Sequence, residues 1–405
     1  MKFIKKYSAI IFAGSLMSFL GYQYISKSAN ANTNTAEPAA YTKAKAFNIV
    51  YADTNTIQAQ NLIASLDSYY NIQTRAGFNG SVLIGHDGKI IYERYFGYAD
   101  KPAGKLLNAK TSSQLASTSK PFTATAVLWL HQSKYLNIND PVQKYLKDFP
   151  YEDITVKMLL NHRSGLMDYT KMGTTIWKSK TPMYNDDLLA YFSEKKPRLN
   201  FNPDTRFQYS NTNYAFLANI IEEVTGTSYK KFMKEFIFEP LGMKNTFVYD
   251  PSENTPVPIT KSYRANFSIF EENFQDGIYG DKGIYSTPQD IYRWDQSFYN
   301  NALLNNTTLL AAYTGYSNEA AGKKNYGLGW RMIEEPNYKI IFHNGWWHGN
   351  NTVFYRFVGD NFTILVLGNK YNPKIYQQTG GINSIIKQNG SLKIEWNEAV
   401  TETAE

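Results

Sequence analysis

Strand-forming runs lie at both ends of the main body of the chain, and the helical patterns between them limit the folds it can adopt. Residues 80–97 form two apolar, β-branched runs around Asp87-Gly88, a tight-turn dipeptide that predicts a β-hairpin. Further β-branched or aromatic runs come late, at residues 339–342, 352–357 and 362–367. We therefore predict an α+β fold with an antiparallel β-sheet flanked by helices and a mostly helical inserted domain over about residues 120–320.

Two helices of this pattern can be placed from the sequence. Apolar residues recur at helical spacing over about residues 56–75, which predicts an amphipathic helix before the hairpin. A second helix is predicted to begin near Ser117. Pro121 fits only near its N-terminus, because the first backbone N–H groups of a helix have no partner within it.

Residues 1–31 have the features of an export signal. A lysine-rich start is followed by a mostly apolar, uncharged stretch and then by Ala29-Asn30-Ala31, a cleavage pattern. An uncleaved anchor stays open, because the 20 residues between Lys6 and Lys27 can span a bilayer. Both interpretations place the body of the protein outside the cytoplasm, in the periplasm or beyond the cell, with membrane contact only through this segment.

The remainder of the chain divides into three predicted parts. Residues 32–54, rich in Asn, Thr and Ala, are predicted to form a linker. Residues 55–390 are predicted to form one domain that contains the helical insertion, and residues 391–405 a tail.

Composition excludes several classes of function. The absence of cysteine rules out disulfides, thiolate catalysis and cysteine-ligated metals. The formal net charge of +7 falls to +3 without the four lysines of residues 1–31, and no Lys/Arg-rich run occurs, so we expect no nucleic-acid partner. The five histidines lack metal-ligand spacing, and P-loop, dinucleotide-binding and G-x-S-x-G motifs are absent. We therefore expect no metal, no cofactor and no α/β-hydrolase fold.

A serine and a lysine three residues apart on a helix share one face, so the lysine can activate the serine as a nucleophile. This S-x-x-K pattern is weak alone, because it occurs four times: Ser117/Lys120, Ser193/Lys196, Ser228/Lys231 and Ser384/Lys387. Context favours Ser117 and Lys120, which stand at the mouth of an apolar helix whose positive dipole end suits a developing negative charge.

Two further motifs come later in the chain. Tyr209-Ser210-Asn211 precedes an apolar helix, and His343-Asn344-Gly345 comes at the end of the predicted strand 339–342. A second H-x-G match, at residues 86–88, is explained by the hairpin turn. The ordered triplet S-x-x-K, Y-x-N, H-x-G is far more specific than any of its members.

In this triplet the chain resembles the serine β-lactamase and penicillin-binding-protein superfamily, in its class C-like branch. That branch includes class C β-lactamases, D-alanyl-D-alanine carboxypeptidases, D-aminopeptidases and family VIII-type esterases. The stretches at residues 159–166, 283–288 and 326–330 add to the resemblance, which covers roughly residues 55–370. It implies a β-lactamase/transpeptidase-like fold and a serine hydrolase that uses an acyl-enzyme intermediate.

The resemblance also implies roles for the catalytic residues. Ser117 attacks a carbonyl carbon and becomes acylated, while Lys120 and Tyr209 share the duty of general base. A lysine is a base near neutral pH only if its pKa falls through desolvation or a cationic neighbour. A charged Lys120 would instead lower the pKa of Tyr209 and make the phenolate the base, and the sequence leaves both alternatives open.

The substrate-binding residues are implied by the same resemblance. Asn211 hydrogen-bonds the substrate amide or orients Lys120. His343 and Gly345 line the third wall of the cleft, and the backbone N–H groups of Ser117 and Trp346 form the oxyanion hole.

One departure from class C β-lactamases concerns the substrate. Those enzymes have Lys-Thr-Gly as the third motif, whereas His343 stands here, mostly neutral at pH 7. We therefore expect a D-Ala-type peptidase or amidase first, an esterase second and a β-lactamase third, acting on a small peptide, amide or ester or on peptidoglycan fragments. The 16% aromatic content and the Trp346-Trp347 pair keep open a non-catalytic cell-wall or ligand-binding protein.

The histidines outside the triplet have other expected roles. His162 is expected to be structural and bonded to backbone, and His131 to be a surface or core residue of its helix. His348 has two open interpretations, substrate contact or loop packing.

Overall fold

The structure is a computed structural model and describes residues 46–173, 177–179, 181–319 and 322–389. The predicted signal segment 1–31, the first part of the linker and the tail 391–405 lie outside these residues. None of the helices formed by the described residues combines the length and the apolar character that a bilayer-crossing segment requires.

The described residues form thirteen strands and nine α-helices. The strands are β1 (Val50–Tyr51), β2 (Gly80–His86), β3 (Lys89–Phe96), β4 (Tyr98–Asp100), β5 (Lys105–Leu106), β6 (Ser113–Gln114), β7 (Phe247–Val248), β8 (Ile284–Ser286), β9 (Lys324–Tyr326), β10 (Arg331–Glu334), β11 (Lys339–Trp347), β12 (Asn350–Phe357) and β13 (Phe362–Gly368). The α-helices are α1 (Ile57–Arg75), α2 (Lys120–Gln132), α3 (Val156–Leu160), α4 (Asn185–Lys195), α5 (Asn211–Thr225), α6 (Tyr229–Phe232), α7 (Pro288–Ser297), α8 (Asn306–Ala312) and α9 (Gln378–Asn389). Short 3-10 helices span Ala116–Ser119, Val142–Lys144, Tyr169–Lys171 and Pro373–Gln377, and a π-helix spans Met233–Phe238.

Strands from the two ends of the described chain meet in one eight-stranded sheet, in the order β1-β3-β2-β13-β12-β11-β10-β9. Val366 of β13 pairs with Val82 of β2 on one side and with Val353 of β12 on the other. Neighbouring strands are antiparallel except β1 and β3, which run parallel. The predicted antiparallel sheet is therefore confirmed, with one parallel pair at its edge.

The predicted hairpin is present, and it has the turn that its sequence requires. β2 and β3 flank Asp87 and Gly88, which have φ angles of +48° and +76°. Positive φ at both central residues is the geometry that matches the twist of paired strands, and Gly adopts it without steric cost.

The predicted linker contains a short strand near its C-terminal end, which the sequence did not indicate. Val50 and Tyr51 form β1 and pair with Lys89 and Ile90 of β3. Both β1 residues are exposed, so a two-residue edge strand leaves no hydrophobic alternation for the sequence pattern to detect.

The two faces of the sheet bury different cores, because side chains alternate along each strand. Val82 and Val366 face the smaller core, which α1 and α9 complete with residues such as Leu66 and Ile382. Leu83 and neighbours on the opposite face contact the larger core, which includes α2, α5 and most of the helices between β6 and β9. The sheet is thus flanked by helices on both sides, as predicted.

Two buried helices position the motifs. α2 begins at Lys120, after a 3-10 turn that contains Ser117, and residues 120–130 are all buried. Pro121 occupies its second position, where no hydrogen bond is lost. α5 begins at the last residue of the second motif and ends before Gly226, whose φ of +63° is a common way for a helix to stop.

The third motif differs from the prediction in one respect. β11 does not end at Phe342 but continues to Trp347, so His343, Asn344 and Gly345 lie within the strand. β10 begins at Arg331, which pairs with Phe342, so the pairing between β10 and β11 extends along β11 only as far as Phe342. Beyond that point β12 is the one strand of the described residues that pairs with β11, and the turn Ala116–Ser119 contacts this part of β11.

Candidate active site

Ser117 lies in a tight turn at the mouth of α2. Ala116 before it has a φ of +49°, a left-handed conformation that is uncommon for a residue with a side chain and is often found at functional sites. Thr118 donates its hydroxyl proton to His343 O of β11 at 3.2 Å, which ties the turn to the sheet. Ser117 is partly exposed while its neighbours in Ala116–Ser119 are buried, so the turn presents one hydroxyl to the surface.

Lys120 is fully buried, and its amine contacts three oxygen atoms. Nζ lies 3.0 Å from Ser117 Oγ, 2.7 Å from Asn211 Oδ1 and 2.9 Å from Asp281 O. Burial lowers the pKa of Lys120 to about 8, and the positive charge of Arg331 also lowers it. The carboxylates of Asp281 and Asp168 oppose this shift. The neutral amine is therefore accessible at mildly alkaline pH.

Tyr209 of the second motif lies beside the same two residues. Its ring centroid is 4.9 Å from Lys120 Nζ and 5.2 Å from Arg331 Cζ. Burial raises the pKa of Tyr209 well above its ordinary value, and Arg331 and a side-chain hydrogen bond with Ser117 oppose that rise. The phenol is therefore protonated over the physiological range.

Asn211 connects Lys120 to an acidic residue. Its Oδ1 accepts from Lys120, and its Nδ2 donates to Asp168 Oδ2 at 2.9 Å. Asp168 is held in turn by the backbone N–H of Thr170 at 3.0 Å. These contacts correspond to orientation of Lys120, one of the two roles expected for Asn211.

His343 lies away from the cleft surface. Its side chain is fully buried, and its Nε2 is 3.3 Å from the hydroxyl of Tyr326 in β9. The same hydroxyl is 3.1 Å from Nε2 of His162, which lies just after α3. The ring of His162 packs on Tyr209 with 4.3 Å between centroids. A His–Tyr–His chain thus connects the second and third motifs.

The hydrogen-bond partners of His162, Tyr326 and His343 determine which atom of each side chain carries the proton. His162 Nδ1 accepts from Ser210 N at 3.2 Å, so the proton of its neutral ring is on Nε2 and points to Tyr326. His343 Nδ1 is 2.7 Å from Asn344 O and must donate to it, so its Nε2 is an acceptor. Tyr326 therefore accepts from His162 and donates to His343. Burial lowers the pKa of both histidines well below the ordinary value, which agrees with two neutral rings.

Gly345 brings β11 against the turn that contains Ser117. A Cβ built on Gly345 would lie 2.4 Å from Leu115 O, 2.4 Å from Thr352 Oγ1 and 3.1 Å from Ala116 Cβ. These distances leave no room for a side chain. The next residue, Trp346, is 47% exposed, so the strand edge beside Ser117 has an aromatic rim.

The rest of this rim is fixed by one carboxylate. Trp347 Nε1 donates to Asp276 Oδ1 at 2.6 Å, and His348 Nε2 lies 3.0 Å from Asp276 Oδ2. His348 also stacks on Phe270, with 5.6 Å between ring centroids. These contacts correspond to loop packing, the second of the two interpretations of His348.

The described residues contain no group of three or more His, Asp or Glu side chains arranged to hold a metal ion. The groups that the site presents are a hydroxyl, a partly neutral amine, a phenol and a strand edge with backbone amides. Groups of these types can supply a nucleophile, a base and oxyanion donors.

Comparison with known proteins agrees with this arrangement. The family model described as Beta-lactamase matches residues 71–379. The chain belongs to the β-lactamase family. As a member of this family it is a serine hydrolase, and the resemblance seen in its three motifs is confirmed.

Individual relatives of this β-lactamase-family chain are penicillin-binding proteins and hydrolases. It is 32% identical over 320 residues to Penicillin-binding protein 4* of Bacillus subtilis, covering 74% of this chain and 70% of that protein. It is 33% identical over 218 residues to the Teichoic acid D-alanine hydrolase of Staphylococcus aureus, covering 53% of this chain and 52% of that one. The solved structure of a class C beta-lactamase superposes with a TM-score of 0.69 at 19% identity, covering 86% of this chain and 100% of that one, and confirms the fold.

Several residues of this β-lactamase-family site were missed by sequence reasoning. Asp168, Asp281 and Arg331 each act on Lys120 or Tyr209 from elements distant in sequence. Lys282, next to Asp281, is also buried, and its amine donates to the hydroxyl of Tyr169. Each lies beside a stretch that adds to the resemblance: Asp168 comes two residues after 159–166, Arg331 directly follows 326–330, and Asp281 and Lys282 directly precede 283–288. This position was the available signal, since no spacing rule relates these residues to the three motifs.

Proposed function

We propose that this serine hydrolase is exported and cleaves D-alanine-type amide or ester bonds through an acyl-enzyme on Ser117. The observation that carries the proposal is the contact between Ser117 and Lys120. A fully buried amine with a pKa lowered to about 8 lies 3.0 Å from the one partly exposed hydroxyl of its turn. A hydroxyl with an adjacent base of matched pKa is the arrangement that nucleophilic catalysis requires.

In this proposal Lys120 is the general base. A neutral amine has two N–H donors and one lone pair. Asn211 Oδ1 and Asp281 O accept the two donors, which leaves the lone pair directed at Ser117. The alternative, a Tyr209 phenolate, is disfavoured because burial raises the pKa of Tyr209. Tyr209 instead relays a proton as a neutral phenol.

The reaction then balances in two halves. Ser117 Oγ forms a bond to the carbonyl carbon and its proton moves to Lys120, while the backbone N–H groups of Ser117 and Trp346 stabilise the oxyanion. The carbon–leaving-group bond breaks as Lys120 returns the proton through Tyr209 to the leaving nitrogen or oxygen. Water attacks the ester, gives its proton to Lys120, and Ser117 is released protonated.

The substrate class rests on the third motif and on the relatives. His343 is buried and neutral, so it offers no cation to the carboxylate of a β-lactam. One relative is a Teichoic acid D-alanine hydrolase and another a penicillin-binding protein. We rank a D-Ala peptidase or amidase first, an esterase second and a β-lactamase third, with small peptides, amides, esters or peptidoglycan fragments as substrates.

Covalent labelling tests the nucleophile. Wild-type protein should be labelled by a fluorophosphonate or a fluorescent penicillin, and Ser117→Ala should not. Ser193→Ala is the matched control, because Ser193 begins a chance S-x-x-K match at a partly exposed position. Equal labelling of wild type and Ser117→Ala, or no labelling of either, contradicts the proposal.

A substrate panel tests the ranking. The panel contains a D-Ala-D-Ala peptide, a D-alanyl amide, a p-nitrophenyl ester and a chromogenic cephalosporin. We expect the highest kcat/KM for the first two and the lowest for the cephalosporin. Turnover confined to the ester or the cephalosporin overturns the ranking but not the serine mechanism.

Export is tested separately. The lysine-rich, apolar and Ala-x-Ala features of residues 1–31 support an export signal, and they lie outside the described residues. N-terminal sequencing of the protein from its native cell should begin after Ala31 if the segment is cleaved, or at the first residue if it is kept as an anchor. Recovery of the protein in the cytoplasmic fraction contradicts export.

A further inference from the structure

Two lysines contact one aromatic ring near the cleft. Nζ of Lys101 lies 4.1 Å and Nζ of Lys370 lies 4.4 Å from the centroid of Phe267. Within the part of the chain that the structure describes, neither ammonium group forms an ion pair. Burial and the nearby charge of Lys101 lower the pKa of Lys370. Two ammonium groups held beside one ring repel each other, and a bound anion would offset that repulsion.

This lysine pair adjoins the rim of the active site. Lys370 is followed by Tyr371, whose ring lies 5.9 Å from the ring of Trp346. Lys101 N donates to the hydroxyl of Tyr263 at 2.8 Å. The backbone of Tyr263 packs against Gly349, so closely that a Cβ there would lie 2.1 Å from Tyr263 O. The pair therefore lies beside the β11–β12 turn, which carries the aromatic rim.

Both ammonium groups are fixed in place. Lys370 is 9% exposed, and its Nζ donates to Gly77 O at 3.2 Å, which leaves two N–H donors for a ligand. Lys101 is exposed at the end of β4 and is held over Phe267. A cation on an aromatic face is stabilised by the ring quadrupole, so the two charges are oriented before any ligand arrives.

We propose that Lys101 and Lys370 form a subsite for a phosphate group of an anionic polymer whose acyl substituent is cleaved at Ser117. A phosphate offers several acceptor oxygens and can accept from both amines, and lysine is a common phosphate ligand. The subsite and the turn of Ser117 are connected through neighbouring residues, since Tyr371 follows Lys370 and its ring contacts that of Trp346, which follows Gly345 at that turn. A ligand that reaches both therefore has to span this aromatic pair, which favours a polymer over a small ester.

Binding of a glycerol phosphodiester oligomer to a Ser117→Ala protein tests the subsite. The double variant Lys101→Gln/Lys370→Gln in this background should bind about tenfold more weakly, with a smaller dependence on salt. Lys147→Gln/Lys244→Gln removes the same charge at two exposed positions on other loops and should bind like its parent. Lys101→Arg keeps the charge at an exposed position and should retain binding. Thermal unfolding checks that every variant is folded.

Three outcomes overturn the subsite. They are unchanged binding in the double variant, equal loss in the control variant, and binding to phosphatidylglycerol vesicles without binding to the oligomer, which would indicate a lipid surface. The use of the subsite in catalysis rests on the proposed function, but its binding does not. Failure of Ser117 labelling with intact, lysine-dependent oligomer binding rejects the hydrolase mechanism alone, and the converse result rejects the subsite alone.

Discussion

At the scale of single residues, the site depends on how far the protein lowers the pKa of one lysine. Burial favours the neutral amine of Lys120, and the nearby carboxylates of Asp281 and Asp168 favour the ammonium ion. The first effect is the larger, which leaves a pKa of about 8 rather than an ordinary lysine value. A group with this pKa is neutral often enough to accept a proton and acidic enough to return it.

Replacement of Lys120 by arginine tests this function of the lysine. Arginine keeps the positive charge but stays protonated at any working pH, so it cannot accept the proton of Ser117. We expect kcat to fall by about 10²–10⁴-fold for a D-alanyl amide. Lys196→Arg, in a chance S-x-x-K match on an exposed surface, should leave kcat unchanged. Comparable activity in the Lys120 variant would assign the base to another group.

The pH dependence of activity should follow the titration of the Lys120 amine. In the proposed mechanism Lys120 acts as the neutral amine, so kcat/KM should rise with pH, with a midpoint near the pKa of about 8. Arg331 lowers the pKa of Lys120 by its charge, so Arg331→Gln should raise that pKa and move the midpoint to higher pH. Arg75→Gln, at the exposed end of α1, removes the same charge and should leave the midpoint in place. A midpoint that does not move in Arg331→Gln contradicts this account.

The residues that the sequence could predict are those related by spacing or by motif order. Ser117 and Lys120 are three residues apart, and Tyr209 with Asn211 flanks the start of α5, so local pattern and resemblance predicted that these residues come together. Arg331 and Asp281 contribute charge or a backbone oxygen from separate elements. Only the fold brings these two residues close to Lys120, and no pattern along the chain indicates how near to it they lie in space.

At the scale of elements, the decisive contact is between β11 and the turn before α2. Gly345→Ala should separate them, because the new Cβ would meet Leu115 O at 2.4 Å. We expect a loss of about 1–3 kcal/mol in the free energy of unfolding and a lower kcat as the strand edge moves away from Ser117. Gly359→Ala is the control, since its Cβ would meet nothing within 4 Å. Urea unfolding and turnover of a p-nitrophenyl ester measure both effects, and a Gly345 variant equal to the control would contradict the argument.

A second element contact, from β9 to β11 and to the loop after α3, depends on one hydroxyl. Tyr326→Phe removes the donor to His343 and the acceptor from His162, and leaves two buried polar atoms unpaired. Each should cost about 1–3 kcal/mol of unfolding free energy. Tyr135→Phe, at a ring that is 40% exposed, should be neutral. Urea unfolding measures the stability of both variants. Equal stability would show that the hydrogen bonds of Tyr326 to His162 and His343 do not stabilise the fold.

The bounds of the strands and helices could be predicted from the sequence only in part. The hairpin and α1 were predicted because the apolar residues of each recur along one continuous stretch that is long enough to show its pattern. β11 extends past Phe342 because pairing with β12 continues through polar and glycine residues that carry no strand signal. β1 was missed because two exposed residues owe their conformation to β3 rather than to their own pattern.

At the scale of the whole molecule, the sheet joins strands that are far apart in sequence. The sequence predicted its class and its flanking helices, since early and late strand runs leave few other arrangements. It did not predict the order of the strands, because the pairing of β2 with β13 depends on which apolar faces share a core. Val82 and Val366 on one face and Leu83 and Leu365 on the other meet that condition only in the folded chain.

The stability of the whole fold should depend on pH through two buried histidines. His162 and His343 are neutral, with pKa values lowered well below the ordinary value by burial. In the unfolded chain each has a pKa of about 6.5, so below that pH the unfolded state binds protons that the folded state does not. The free energy of unfolding should therefore fall with decreasing pH by up to about 1.4 kcal/mol per unit for each histidine.

Urea unfolding between about pH 7 and pH 5 measures this dependence, since most carboxylates stay ionised over that range. His343→Gln removes one titrating group and should reduce the pH slope by about half of the two-histidine contribution, whatever its effect on absolute stability. His131→Gln is the control, because its ring lies on the partly exposed end of α2. A slope equal in wild type and His343→Gln would mean that His343 is protonated in the folded protein. The neutral His–Tyr–His chain, and with it the absence of a cation in the third motif, would then be wrong.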